Sequence, residues 1–451
     1  MKKFSGKKIT ILGAGRSGVP AALLAKEAGA VPFVSDLQDE TKLADQIKIL
    51  KANSVEFETG VNSERVFDSD IIIKSPGIPD EAPVIAAARE KGIKIISEIE
   101  FAAHFNKGDI FAITGTNGKT TVTSLIAHIF NNAGIKCRAA GNIGLGFSDV
   151  VKEIKKGEPV SLEVSSFQLD NIEEFKPKYA TILNITPDHL DRYGNNFENY
   201  VKAKYRIFEN HDTGDLTVLN YDDPVFGEYR YWSNGRISYF SLKEELQDGA
   251  YLKAGKLIAR IDGRTIYKVP VKEVSLIGEH NYANILAVMR LLADYGLPEK
   301  DLKAGLKNFP GVEHRIERVE SKDGIIYIND SKATNVDSVW YALRSFEAPI
   351  YLILGGKDKG NDYNRILEPV KKNVKKIYAI GSSRDKVYDF FKDVVPVEIC
   401  ADLEECVKKG HQEASKGEIV MLSPACASFD MFNSYEHRGK VFKELVKKTA
   451  G

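Results

Sequence analysis

Short apolar runs alternate with longer stretches whose apolar positions recur at helical spacing, along most of the chain. The runs "KKITIL", "VPFVSD", "SDIIIKSPGI", "IKIIS", "PVSLEVSS" and "YATILNIT" read as buried strands. "VPAALLAKEAG" and "HNYANILAVMRLLADYG" read as amphipathic helices that stop at a glycine. A third set of runs, "IIYINDS", "PIYLILGG", "VKKIYAIGSS" and "EIVMLSPA", repeats the alternation further on. The segment from about 216 to 277 is mixed, with short alternating runs ("KLIARIDGRTIYKVPV") that read as antiparallel strands. Strand–helix alternation predicts parallel sheets covered on both faces. The expected domains are 1–98, 99–311 with a mixed sheet, and 312–451.

Ligands of such sheets sit beyond the carboxyl ends of the strands, so the polar loops there carry the candidate chemistry. Gly13-Ala14-Gly15-Arg16-Ser17-Gly18 follows a strand and opens a helix, and Asp36 closes the next strand. Such a loop lets backbone approach a diphosphate at a helix start. It reads no nicotinamide, so a UDP-sugar and NAD fit it equally, and a plain glycine turn is the bland alternative. In "DIFAITGTNGKTTVTSLIAHIF", Gly115, Gly118, Lys119 and Thr120 supply loop amides, an ammonium for β/γ-phosphates and a hydroxyl for Mg²⁺. The usual phosphate-loop frame would need a glycine at 113, where Ile113 stands. Asn106-Lys107-Gly108-Asp109 spells a guanine-reading motif, but it precedes the loop and is a coincidence. Glu163 ends a buried run beside this loop, where a carboxylate either holds Mg²⁺ or is merely solvated. Taken alone, His189 reads as a packed histidine and Lys204 as a solvated helix lysine.

Composition narrows the partners. The 451 residues carry 63 Lys plus Arg against 63 Asp plus Glu, so no global charge draws the chain to nucleic acid or an anionic membrane. No apolar run reaches bilayer-spanning length, and the start "MKKFSGKKITILGAG" enters a glycine loop instead of a cleavage site. Cys137, Cys400, Cys406 and Cys426 show no C-x-x-C spacing, which predicts reduced cytoplasmic thiols without a zinc site or disulfides.

The stretches "GTNGKTT", "LEVSSFQL", "NITPDHLDRY", "AKYRIF", "GEHNYANILAV", "EHRIE", "NDSKATN", "LGGKDKG" and "SPACASFDMF", in this order, resemble the Mur ligases of peptidoglycan synthesis, nearest to the D-glutamate-adding branch. The resemblance covers nearly the whole chain. It implies an α/β fold of three domains: a Rossmann-like N-terminal domain, a central P-loop ATPase-like domain and a Rossmann-like C-terminal domain. The implied activity is ATP-dependent addition of D-glutamate to UDP-N-acetylmuramoyl-L-alanine through an acyl phosphate. An L-alanine-adding relative or an NAD-dependent oxidoreductase is the alternative.

By the same resemblance, Gly115, Thr116, Asn117, Gly118, Lys119, Thr120 and Thr121 hold ATP, with His280, Asn281 and Asn284 at the nucleotide and Arg315 and Asp330 closing on it. Thr120, Glu163, His189 and carbamylated Lys204 would hold two Mg²⁺, and Lys119, Glu163, His189 and Lys204 form the catalytic set. Gly15, Arg16, Ser17, Asp36, Ser75, Pro76, Gly77 and Asn142 would bind the UDP substrate. Lys332, Thr334, Lys359, Ser428, Phe429 and Tyr435 would line the glutamate site. Tyr435 stands where the family often has Phe, and "GGKDKG" leaves Lys357 and Lys359 as rivals for one role. The expected protein is a cytoplasmic monomer.

Overall fold

A computed structural model describes residues 3–229, 233–358 and 360–451. Its backbone divides into two compact units, Met1–Phe309 and Pro310–Gly451. Among the described residues, three sheets form.

The first is five-stranded and wholly parallel, in the order Glu56–Thr59, Val31–Asp36, Lys8–Leu12, Ile71–Lys74, Lys94–Ser97. Its central strand "KITIL" is buried from Ile9 to Leu12, as a strand covered on both faces must be. The turn after it is tight. A Cβ on Gly18 would lie 1.8 Å from the Gly13 carbonyl oxygen, so only glycine lets the helix Gly18–Glu27 start against the strand end.

The second sheet has nine strands. Seven run parallel, in the order Gly249–Lys253, Arg236–Ser241, Leu216–Asn220, Tyr179–Ile182, Asp109–Thr114, Pro159–Glu163, Arg138–Gly141. The antiparallel hairpin Lys256–Ile261 and Arg264–Pro270 extends it beyond Gly249–Lys253, so the sheet is mixed. The helix Glu279–Tyr295 packs on this sheet and ends at Gly296, whose φ of 86° closes the last turn.

The short helix Glu98–Ala103 joins the first sheet to the second. Ser97 caps its start, and its Glu100 carboxylate accepts the amides of Glu173, Glu174 and Phe175. Burial opposes ionisation of Glu100, but His104 and these three amides outweigh it and hold the group down at about 2.

The third sheet lies in the second unit, in the order Glu317–Val319, Ile326–Asn329, Ile419–Leu422, Ile350–Gly355, Val374–Ile380, Val397–Ile399. All its pairs are parallel except the edge pair of Glu317–Val319 with Ile326–Asn329. All four cysteines are buried and none is in a disulfide. Burial pushes Cys137 up to about 12 and raises Cys426. Burial and then its neighbour Cys400 raise Cys406, while the hydrogen bond between the two thiols lowers Cys400. Among the described residues, no helix is long and apolar enough to cross a membrane, and no three His, Cys, Asp or Glu side chains gather as a metal site.

Candidate active site

The shortened phosphate loop has a structural reason. Ile113 is fully buried in the strand Asp109–Thr114 and pairs with Glu163 on one side and Thr181 on the other, so position 113 belongs to the sheet. The loop proper starts at Gly115. A Cβ there would meet Leu183 at 3.2 Å and the Asn184 carbonyl oxygen at 3.3 Å, with φ at +143°. Gly118, with φ +89°, caps the helix Lys119–Asn132, and a Cβ on it would fall 2.5 Å from Asn284 Oδ1.

Gly118→Ala is therefore expected to destabilise the protein by about 1–2 kcal/mol through left-handed strain. It should also weaken ATP binding about tenfold by displacing the Asn284 amide, a shift of ~1.4 kcal/mol. Thermal melts with and without ATP check both, and an unchanged ATP affinity refutes the second.

The loop is braced from the segment after Tyr179–Ile182. Asn184 Oδ1 accepts from the Asn117 amide at 2.9 Å and Asn184 Nδ2 donates to the Asn117 carbonyl at 3.0 Å. The Thr116 hydroxyl donates to the Thr186 carbonyl and accepts the Thr186 amide, both at 3.0 Å. Lys119 folds back onto its own loop, donating to the Gly115 and Thr116 carbonyls at 2.8 Å each. Its ammonium already lies among the loop carbonyls, where an incoming phosphate can take it over. Thr121 is buried, and its hydroxyl has no hydrogen-bond partner among the described residues.

Thr120 and Glu163 come together as the sequence predicts. The buried Thr120 hydroxyl donates to Glu163 Oε2 at 2.7 Å, and Asn142 Nδ2 donates to Glu163 Oε1 at 3.2 Å. A loop hydroxyl one hydrogen bond from a buried carboxylate is an oxygen pair suited to Mg²⁺. Asn142, expected at the UDP substrate, thus also orients this carboxylate.

Lys204 departs from the solvated lysine that its helix position alone suggested. It lies on the helix Phe197–Tyr205 at 2% exposure, and its ammonium donates to the Gly115 carbonyl at 3.0 Å. Burial, then the Lys119 charge, push its pKa well below that of an ordinary lysine, against the pull of Asp188, Asp170 and Glu163. A buried amine whose pKa is depressed, lying over a phosphate loop, is chemically poised in a way a surface lysine is not. His189 adopts a left-handed backbone (φ 52°) and packs edge-on against Phe167, with Nε2 3.7 Å from Asp188 Oδ2. Asn281 Nδ2 donates to the Ile277 carbonyl at 2.8 Å, so its amide serves the helix start, while Asn284 faces Gly118. His280 lies just before Asn281 on the first turn.

In the first glycine loop, Asp36 spends both oxygens on backbone: Oδ2 accepts the Ala14 amide at 2.7 Å and Oδ1 the Gln38 amide at 2.8 Å. It shapes the loop that Gly15, Arg16 and Ser17 present; Gly15 and Arg16 are exposed. A Cβ on Gly13 would lie 2.6 Å from Ser75 Oγ, so the Ser75-Pro76-Gly77 loop abuts the glycine loop. Arg192, just past His189, donates to the Pro76 and Ile78 carbonyls at 3.4 and 3.2 Å.

In the second unit, Asp330 is fully buried. Burial raises its pKa to about 6 despite Arg315, the Ser423 hydroxyl at 2.7 Å and the Ile316 amide. Arg315 lies between two left-handed residues, His314 (φ 65°) and Ile316 (φ 47°), and its Nε is buried with no hydrogen bond. A β-branched residue in that region is strained, and such strain collects at functional segments. Lys332 donates to the Tyr435 hydroxyl at 2.9 Å, a bond that a phenylalanine at position 435 could not accept. Ser428 is buried and Phe429 is 68% exposed. The Thr334 amide donates to the Lys332 carbonyl. Lys357 forms a backbone bridge to Ala427, and Lys359 lies outside the described residues.

Sequence reasoning missed Arg438. It looks like a solvated residue of the helix Tyr435–Ala450, yet it is 1% exposed and binds the Ser331 and Cys426 carbonyls and the Ser331 hydroxyl. It pins "NDSKATN" to "SPACASFD". Asn184, the brace of the phosphate loop, was missed too; its only signal was its place inside "ILNITPDH".

Family models match most of the chain: one described as Mur ligase MurD-like, N-terminal domain at residues 7–97, Mur ligase middle domain at 113–292, and Mur ligase, glutamate ligase domain at 314–426. A protein of Christiangramia forsetii named UDP-N-acetylmuramoylalanine--D-glutamate ligase is 41% identical over 98% of this chain and 99% of its own. One of the same name from Cytophaga hutchinsonii is 43% identical over 99% and 100%. Among solved structures, the UDP-N-acetylmuramate-alanine ligase of Thermotoga maritima superposes with TM-score 0.62 at 21% identity, covering 98% of this chain and 99% of that one. A MurF ligase of Thermotoga maritima in complex with ADP gives 0.59 at 17% identity, over 100% and 97%. Model matches in all three regions, with full-length relatives above 40% identity, leave one conclusion: this chain belongs to the Mur ligase family and has its three-domain fold.

Proposed function

We propose that this chain joins D-glutamate to UDP-N-acetylmuramoyl-L-alanine, using ATP and releasing ADP and phosphate. The observation that carries the reading is the cluster of Lys119, Thr120, Glu163 and the buried Lys204, whose pKa is depressed, around one phosphate loop. The full-length relatives carry the name of this activity. The nicotinamide alternative has no use for this cluster and falls with the family membership.

A carboxylate is a poor acylating group because its leaving group would be oxide. Moving the γ-phosphoryl of ATP onto the substrate carboxylate gives an acyl phosphate, and the glutamate amine then displaces phosphate through a tetrahedral intermediate. Two anions must approach each other, so positioning and charge neutralisation dominate the barrier. Lys119 and the loop amides of 115–121 hold the triphosphate, and Asn284, beside Gly118, lies on its path, with His280 and Asn281 at the same helix start. From the C-terminal domain, Arg315 supplies a planar guanidinium for phosphate oxygens and Asp330 holds the Arg315 segment. Thr120, Glu163, His189 and Lys204 would hold Mg²⁺, which neutralises the phosphoryl oxygens. Few carboxylates gather there, so a second ion would need an anionic ligand, and a carbamate on Lys204 would supply one. Residues 1–98 take the UDP end through Gly15, Arg16, Ser17, Ser75, Pro76 and Gly77, with Asp36 shaping the loop and Asn142 reaching in from the central domain. Lys332, Thr334, Lys359, Ser428, Phe429 and Tyr435 take the incoming amino acid, two lysines matching its two carboxylates.

Phosphate release in the presence of ATP, UDP-N-acetylmuramoyl-L-alanine and each amino acid in turn tests the assignment. Release and amide formation are expected with D-glutamate and absent with L-glutamate, L-alanine or a diamino acid. Turnover with L-alanine on the UDP-sugar lacking alanine would move the chain to the alanine-adding branch.

A further inference from the structure

Glu98 begins the helix that links the UDP-binding domain to the central domain, and the mechanism above gives it no role. It is 1% exposed, Oε1 accepts the Ser148 amide at 2.5 Å, and Oε2 has no hydrogen-bond partner. The Phe147 amide and the Ser148 hydroxyl face the same carboxyl. Three segments converge on it. A Cβ on Gly146 would lie 3.4 Å from Glu98 Oε1, 3.4 Å from Ser17 Cα and 3.2 Å from Asp149 Oδ2. Ser17 ends the first glycine loop, and Gly146 ends the turn that carries Asn142. Glu98 thus stands where the two loops that receive the UDP substrate touch.

Resting on the function proposed above, we propose that Glu98 is a positioning residue for the nucleoside-diphosphate end of the substrate: its carboxylate takes the Ser148 amide, faces the Phe147 amide and so holds the Asn142 turn in register with the Arg16–Ser17 loop. Every donor facing this carboxyl meets an acceptor oxygen, whereas a glutamine has one oxygen and turns an NH₂ toward the remaining donors. The charged group acting on Glu98 from the packed helices is Asp149, of like sign. Glu100 on the same helix is turned to the amides of 173–175, and Gly18–Glu27 presents backbone at Ser17. Burial, with Asp149 adding to it, raises Glu98 to about 7 against the pull of the Ser148 hydroxyl and of the Ser148 and Phe147 amides. A carboxyl raised on folding binds more protons folded than unfolded. Its contribution to stability is full at low pH and is lost as pH rises through about 7.

The test pairs Glu98→Gln with Gly146→Ala, whose φ of −65° accepts any residue, so only the added Cβ disturbs the contact. For each, the affinity and KM for UDP-N-acetylmuramoyl-L-alanine, the KM for ATP and for D-glutamate, kcat, and Tm at pH 8 are measured. The expected result is a UDP-substrate Kd and KM raised about tenfold, the other constants within about twofold, and no fall in Tm for Glu98→Gln. In the unaltered enzyme the UDP-substrate KM should rise as pH falls from 8 to 6, and in Glu98→Gln it should be flat. Unchanged UDP-substrate affinity in both variants overturns the proposal, as does an equal loss for all three substrates with a lower Tm. An unaltered enzyme that neither binds nor ligates the UDP substrate overturns the functional reading itself.

Discussion

Lys119→Met is expected to lower kcat for ligation about a thousandfold while the protein stays folded. Removing one preorganised charge stabiliser from a phosphoryl-transfer site costs on the order of a hundred- to a thousandfold. Lys119 belongs at the upper end because two anions meet beside it. The methionine stem fills the same volume, and the Gly115 carbonyl keeps its bond from Lys204. The Thr116 carbonyl loses the Lys119 bond, a loss of about 1 kcal/mol. Single-turnover formation of the phosphorylated product, beside a thermal melt, separates chemistry from folding. A variant retaining more than a tenth of the turnover would remove Lys119 from the mechanism.

Lys204→Arg should lose at least about a hundredfold in kcat, since a guanidinium keeps its proton and cannot accept CO₂. The buried amine of Lys204 can. An ordinary lysine is neutral about one time in a thousand at pH 7, and each unit of depression raises that fraction tenfold. The lowered pKa of Lys204 therefore prepares the one state able to form a carbamate. Lys204→Met removes the amine without adding bulk. It should lose activity equally while its Tm does not fall, because the desolvated charge is gone. Incubation with ¹³C-bicarbonate should give a carbamate signal in the unaltered protein and none in either variant. Full turnover by Lys204→Arg would show that no modified lysine is needed.

Much of this was legible in the residues. Periodicity marked the helix Glu279–Tyr295 down to Gly296, and the alternating run after residue 255 marked the antiparallel hairpin. Glycine spacing marked both loops, because backbone that approaches phosphate or crosses a strand end excludes a Cβ. Partnerships were not legible. Nothing local in "EHRGK" says that Arg438 reaches carbonyls 107 and 12 residues away. Nothing in "VSD" says that Asp36 turns back to the Ala14 amide. Such bonds follow from sheet order, and sheet order is set by long-range burial. Lys204 shows the same limit from the other side. Its helix gave a correct position, but the loss of solvent that changes its chemistry comes from the phosphate loop lying over it.

The four sequestered thiols have a practical consequence. Maleimide dyes react with exposed thiolates, and these sulfurs are shielded, with Cys137, Cys406 and Cys426 also held protonated. A cysteine engineered on the surface of each compact unit thus meets a quiet background, and Cys400, the thiol its neighbour lowers, is the first to replace. Fluorescence energy transfer between two such labels can then test whether the distance between the units changes during turnover.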